Sequence, residues 1–147
     1  MKRNARSNMP RLCQAEGISK VNRSVFYFDD DETLLENFAE MFGDEYEVRT
    51  AATLTEAMRI LREFKPEIII SDQLMPEIEG TAFLGEAMPL CPDSFRILLT
   101  GWMVVGEVLP ELGAGIIHLF LPKPWMEDQM RAALKRASLH YDLRRAR

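Results

Sequence analysis

Cysteine is scarce in this chain: Cys13 and Cys91 stand far apart, and neither belongs to a CxxC pair. That excludes a disulfide framework and a thiolate zinc site, and fits two free thiols in a reducing compartment. Histidine is equally sparse. His118 and His140 have no metal-ligand partners flanking them, so both read as incidental. No apolar stretch approaches the roughly 18 residues of a membrane span, and the polar, basic N-terminus lacks the apolar core of a signal peptide. These absences point to the cytoplasm and away from the membrane. There is no internal repeat or low-complexity segment, and 147 residues suit one compact domain.

Positive charge is outnumbered by negative, except at one end. The net charge is −5; residues 1–24 carry Lys2, Arg3, Arg6, Arg11, Lys20 and Arg23 against Glu16 alone, a balance of +5 that leaves −10 for the rest. An acidic body argues against direct nucleic-acid binding by the domain. The basic segment shows no hydrophobic periodicity, so residues 1–23 are expected to be a disordered tail. The remainder is ordinary for a globular protein, with 47% hydrophobic and 28% charged residues, enough to bury a real core. The nine methionines read as filler of that core.

Strand and helix signals alternate five times. Val25–Phe28 is a short apolar run ending in Asp29-Asp30-Asp31, read as a buried strand. From about Thr33 to Phe42, Leu34, Leu35, Phe38, Met41 and Phe42 fall at helical spacing, and Gly43 ends the helix. Tyr46–Thr50 is a second strand, and Thr53–Lys65 a second helix before Pro66. Ile68–Ile70 is a third strand with Ser71-Asp72 at its carboxyl end. A loop with Pro76 and Gly80 leads to a helix over about Thr81–Met88. Phe95–Thr100 and His118–Leu121 are the fourth and fifth strands, and a long last helix runs from Met126 to about Arg147. Such alternation predicts an α/β fold, parallel strands with helices on both faces. The near-continuous apolar strands agree, because parallel sheets are buried on both sides.

Asp29 and Asp30 end strand one, Asp72 ends strand three, Thr100 ends strand four and Lys123 follows strand five. In an open parallel sheet all carboxyl ends share one edge, and ligands bind there at the topological switch point. With the flavodoxin-like order 2-1-3-4-5, Asp29, Asp30 and Asp72 converge on one crevice. Three carboxylates so close repel one another unless a cation intervenes. Magnesium, a hard ion taking carboxylates, water and phosphate oxygen, suits them. An aspartate can itself be a nucleophile toward phosphorus; Lys123 and Thr100 would supply charge and a hydroxyl donor.

These residues resemble the receiver domain of two-component response regulators, over about residues 24–140. The motifs are Phe28-Asp29-Asp30-Asp31-Glu32, Ser71-Asp72-Gln73-Leu74-Met75-Pro76, Gly80, Leu99-Thr100-Gly101 and Lys123-Pro124-Trp125. Each alone is weak; five in order at the right strand ends are strong. The resemblance implies a flavodoxin-like (βα)5 fold and Mg2+ held by Asp30, Asp72 and the backbone carbonyl of Leu74, with Asp29 acting through water. It implies Asp72 as phosphoacceptor, and Thr100 and Lys123 as holders of the phosphoryl oxygens. Thr100 and Phe120 would be switch residues, and a sensor histidine kinase or phosphotransfer protein the donor. The domain would then be no enzyme beyond its own phosphorylation and dephosphorylation. The Thr-Gly-Trp and Leu-Pro-Lys-Pro-Trp wording looks most like receivers attached to cyclic-di-nucleotide phosphodiesterase or hydrogenase-regulator outputs. Leu74 and Trp102 would flank the phosphoryl group and shield it from water.

Two rival readings stand beside this one. Asp29-Asp30-Asp31-Glu32-Thr33-Leu34 also matches the D-x-D-x-T-L pattern of haloacid-dehalogenase-type phosphatases, with Asp29 as nucleophile and Asp31 as general acid. That reading leaves Asp72 without a role and lacks a later acidic pair at a strand end. The other is a receiver-like scaffold that binds partners without phosphorylation. Asp31 and Glu32 read as the start of a helix, where acids favour the macrodipole.

The departure from the pattern is 103–113, the expected fourth helix, where Pro110 costs roughly 3 kcal/mol in a helix interior and Gly106 and Gly113 about 1 kcal/mol each. A short, kinked or mobile segment is expected. The last helix, about 22 residues and roughly 33 Å long, is expected to project over 141–147. With 103–113 it would form a face for a homodimer or an output partner.

Overall fold

The computed structural model describes residues 23–101, 110 and 113–145. β1 (Ser24–Phe28) pairs on one side with β2 (Glu47–Ala51) and on the other with β3 (Ile68–Asp72); β4 (Phe95–Thr100) and β5 (Leu119–Pro122) follow. All pairings are parallel, as the alternation predicts, and the order is β2-β1-β3-β4-β5, the flavodoxin-like one expected. Phe28 lies opposite Ala51 and Ser71, Asp72 opposite Leu99, and Thr100 opposite Pro122. The strands therefore finish together along one edge.

Local chemistry sets the helices. α1 (Glu32–Phe42) starts at Asp31, whose carboxylate accepts from the Thr33 and Leu34 N–H groups, satisfying donors orphaned at a helix start. α2 (Leu54–Phe64) starts at Thr53, capping the Glu56 N–H, and stops at Lys65, which is left-handed with φ 50°. α3 (Gly80–Leu90) has no side-chain cap. α4 (Glu127–Arg145) has Glu127 and Asp128 in its first turn and Arg144 and Arg145 in its last, each end suiting the macrodipole. None of the described helices is long and apolar enough to cross a membrane.

The sheet separates two apolar cores. Under α1 and α4 lie Tyr27, Phe38, Phe42, Ile70, Leu99 and Leu134. On the other face, under α2 and α3, lie Phe26, Phe28, Leu61, Ile69, Phe83 and Leu98. Successive strand residues point to opposite faces, so Phe26 and Tyr27 belong to different cores. Each fully buried side chain of this size contributes roughly 1.5–3 kcal/mol.

Several expectations need correction. β2 and β5 run one residue later than the apolar pattern suggests, and α3 begins at Gly80 and carries Pro89 in its last turn. Residues 102–109, 111 and 112, and with them most of the segment expected to be kinked, lie outside the described residues, as do 1–22. Arg23, placed with the tail by sequence, is fixed: it bonds Asp142 Oδ1 at 2.6 Å and lies 5.0 Å over the Tyr141 ring. Residues 141–145 do not project. Arg144 reaches the Pro92 carbonyl at 3.2 Å, and Asp142 accepts from Arg23. The physical reason is that Arg144, Asp142 and Tyr141 find a carbonyl and a charge, Pro92 and Arg23, elsewhere on the domain.

His118 is not incidental. Arg96, 2% exposed in mid-β4, donates from its guanidinium to the carbonyls of Ile116 (2.7 Å), Gly115 (3.2 Å) and Ser94 (3.3 Å). Burial lowers its pKa to about 10, so it stays charged. Its backbone N–H donates to His118 Nδ1 at 2.9 Å, and the His118 ring stacks on Phe95 at 4.9 Å.

Candidate functional site

The carboxyl edge of the sheet opens into a cavity of about 660 Å³ lined by Asp30, Asp72, Leu74, Thr100, Lys123 and Trp125 among others. Asp29 lies beneath it, 0% exposed. One carboxylate oxygen, from each of Asp29, Asp30 and Asp72, lies within 4.8 Å of the others. Convergence follows from topology: β1 and β3 are neighbours although not consecutive, so their ends face one crevice.

Lys123 is the counter-charge. Its ammonium is 3.0 Å from Asp29 Oδ2 and 3.1 Å from Asp72 Oδ2. Both contacts hold its proton more tightly, against the opposing effect of burial. The Asp72 carboxyl is pushed above its ordinary range, by burial first and then by the Asp29 charge, with Lys123 opposing both. Asp72 is 5% exposed. Thr100 lines the cavity, but its hydroxyl turns to the Gly101 carbonyl at 3.2 Å. Leu74 is 64% exposed at the rim. Phe120 is half-buried and packs on the α2–α3 core. Trp102 lies outside the described residues.

Asp31 stays at the helix start, as the sequence predicts. The phosphatase reading thereby loses its acid, because Asp31 is turned to the helix cap. Its proposed nucleophile is sequestered too: Asp29 Oδ1 accepts from the Asp31 N–H at 3.0 Å, and Oδ2 from Lys123 and from the Tyr27 hydroxyl at 2.9 Å.

Tyr27 is a site residue that the sequence reading passed over. It looks like one letter of an apolar run, yet it stands two residues before Asp29 on one strand, and that spacing puts both side chains on one face. Its hydroxyl also accepts from Trp125 Nε1–H at 3.3 Å. Burial, and then the Asp29 charge, push its pKa up, so it remains a donor. Gln73, also overlooked, is buried and ties the strand end to α3: its Oε1 accepts from the Thr81 N–H at 2.9 Å.

Compared with known protein families, residues 25–135 match the response regulator receiver domain. The chain belongs to the response regulator receiver family. The hydrogenase transcriptional regulatory protein HoxA of Bradyrhizobium diazoefficiens is 26% identical to it over 125 residues, covering 85% of this chain and 26% of that protein. The chain spans about a quarter of the length of the curated relatives it matches first. Among solved structures, the adenylate cyclase from Rhodopirellula baltica superposes with a TM-score of 0.81 at 28% identity, covering 86% of this chain and 94% of that one. The response regulator receiver domain protein from Clostridium thermocellum gives 0.76 at 27% identity, covering 82% and 98%. Receivers are signalling domains of two-component systems that bind Mg2+ in an acidic pocket and interact with histidine kinases. The receiver's oxygen-only donor set fits such an ion: three carboxylates within reach of one another, one of them, Asp30, open to the cavity.

Proposed function

We propose that this receiver accepts a phosphoryl group on Asp72 from the phosphohistidine of a sensor kinase or phosphotransfer protein. The observation that carries the reading is Lys123 bridging Asp29 and Asp72 across the β1–β3 crevice, with Asp30 on the open side. The Asp72 carboxylate attacks phosphorus; an O–P bond forms, the donor's N–P bond breaks, and the imidazole leaves. Asp30, Asp72 and the Leu74 carbonyl would hold Mg2+ directly, with Asp29 acting through water. When bound, the ion neutralises charge developing on the phosphoryl oxygens. Lys123 turns from the carboxylates to the new oxygens, and Thr100 rotates its hydroxyl from Gly101 toward them. Phe120 follows as a switch residue, and the signal leaves through 103–113 and α4 to an output partner or a second copy. The setting is the cytoplasm, where such kinases present their phosphohistidine.

The test is intact mass after incubation with acetyl phosphate and Mg2+. The chain should gain one phosphoryl group and Asp72→Asn none. Equal gain by Asp72→Asn would overturn the assignment, and no gain by the unaltered chain would favour the scaffold that works without phosphorylation.

A further inference from the structure

The acidic site holds one oxygen with two claimants. Asp29 Oδ2 accepts from both Lys123, at 3.0 Å, and the Tyr27 hydroxyl, at 2.9 Å. Neither Asp29 nor Tyr27 is exposed, so bulk water does not reach Oδ2, and the water that would join Asp29 to Mg2+ is the same before and after Lys123 moves. A buried carboxylate left one donor short is costly, and more so when the missing donor is charged. Any event that draws Lys123 toward Asp72 or a group on it therefore leaves Asp29 Oδ2 dependent on Tyr27.

The surroundings hold Tyr27 ready for that. Its ring meets Phe38 edge-on, at 5.1 Å between centroids and 72°, and Phe38 meets Trp125 at 6.1 Å and 88°. Trp125 Nε1–H donates to the phenol oxygen. Hydrogen bonds in such a chain polarise one another, so the indole strengthens the phenol as a donor to Asp29. Trp125 also follows directly on Lys123 and Pro124, so the same loop carries the mobile ammonium and the group that primes its replacement.

We propose that Tyr27 is a positioning residue for Lys123: it keeps Asp29 Oδ2 hydrogen-bonded when the ammonium leaves, and so lowers the cost of moving Lys123 onto a phosphoryl group at Asp72. The inference rests on the phosphoacceptor reading above. It gives Tyr27 a role in the exchange of partners and none in contact with the phosphoryl group.

The experiment titrates the full chain with beryllofluoride in saturating Mg2+, and separately with Mg2+ alone, following Trp fluorescence and confirming with NMR shifts. Tyr27→Phe keeps the ring and removes only the hydroxyl. It should weaken beryllofluoride binding about tenfold while leaving Mg2+ affinity within about threefold, because Mg2+ alone does not require Lys123 to leave Asp29. Trp125→Phe should shift beryllofluoride binding in the same direction by less, read by NMR. In a Lys123→Ala background the Tyr27→Phe effect should vanish, since no ammonium remains to change partners; a merely structural role would persist there. Unaltered beryllofluoride affinity in Tyr27→Phe, or equal losses with and without Lys123, would overturn the role of Tyr27 alone. No binding of beryllofluoride by the unaltered chain would overturn the phosphoacceptor reading along with it.

Discussion

Acidification should destabilise the domain through His118 in a way that one substitution separates from all other titrations. Donors face both ring nitrogens, the Arg96 backbone N–H at Nδ1 and the Arg144 guanidinium beside Nε2, so an added proton meets a donor on either side. Burial is the first cause of a pKa lowered from 6.5 to about 4, followed by the charges of Arg96 and Arg144 and by His140. Arg144 Nη1 sits 3.1 Å from Nε2. In the unfolded chain the ring titrates normally, so between pH 6.5 and 4 the unfolded state binds more protons and stability falls as pH falls. The contribution is complete above pH 6.5 and lost by about pH 4. At 1.36 kcal/mol per pH unit this amounts to about 3 kcal/mol, and partial exposure of the ring reduces it to about 2 kcal/mol. Urea midpoints at pH 7 and pH 4 would be compared between the unaltered chain and His118→Asn, whose amide oxygen can still accept from Arg96. The variant should start less stable, having lost the stacking on Phe95, but should lose about 2 kcal/mol less on acidification. Equal losses in both proteins would refute the burial argument.

Three further outcomes follow from the site and its supports. A Cβ on Gly80 would lie 2.8 Å from Leu98 Cδ1 and closer still to the Asp72 carbonyl oxygen. Gly80→Ala should therefore destabilise by about 2 kcal/mol despite the helix propensity it gains, measured by thermal unfolding; wild-type stability would contradict the close approach. Asp30→Ala should weaken Mg2+ binding with little effect on folding, whereas Asp31→Ala should cost about 1 kcal/mol of stability through the lost cap and spare the metal, as equilibrium titration and unfolding would show. Leu74→Asn should hasten loss of the phosphoryl group several-fold, on the order of 1 kcal/mol in barrier, because a polar side chain at the exposed rim no longer excludes water; an unchanged decay rate would remove shielding as the control.

The fold was legible because its signals agree across scales: mostly apolar strands alternating with helical patterns, and acidic residues, a threonine and a lysine where strands end. Asp29, Asp30, Asp72, Thr100 and Lys123 could be placed together from topology alone. What remained hidden depended on partners distant in sequence. Tyr27 counts as apolar until its hydroxyl is seen against Asp29 and Trp125. Arg96 interrupts a strand with a charge, and nothing local says that carbonyls of residues 94, 115 and 116 enclose it. The end of α4 looked surplus by length, because length cannot show that Arg23 and Pro92 would engage it.

The division of the interior into two cores by the sheet bears on how a signal travels. Asp29, Asp72 and Lys123 share the strand parity of Tyr27, Ile70 and Leu121, whose side chains fill the core under α1 and α4. Thr100 and Phe120 share the parity of Leu98, on the opposite side. The charged groups and Phe120 thus lie toward opposite sides of the sheet, with Thr100 opening onto the cavity that the charges share. If Phe120 is the switch residue proposed above, a change at the carboxylates would reach it through main chain at the ends of β4 and β5, where the Lys123 N–H bonds the Thr100 carbonyl at 3.2 Å. Volume lost in one compartment has to be recovered within it, and the main-chain bond at Thr100 is one place where the two meet.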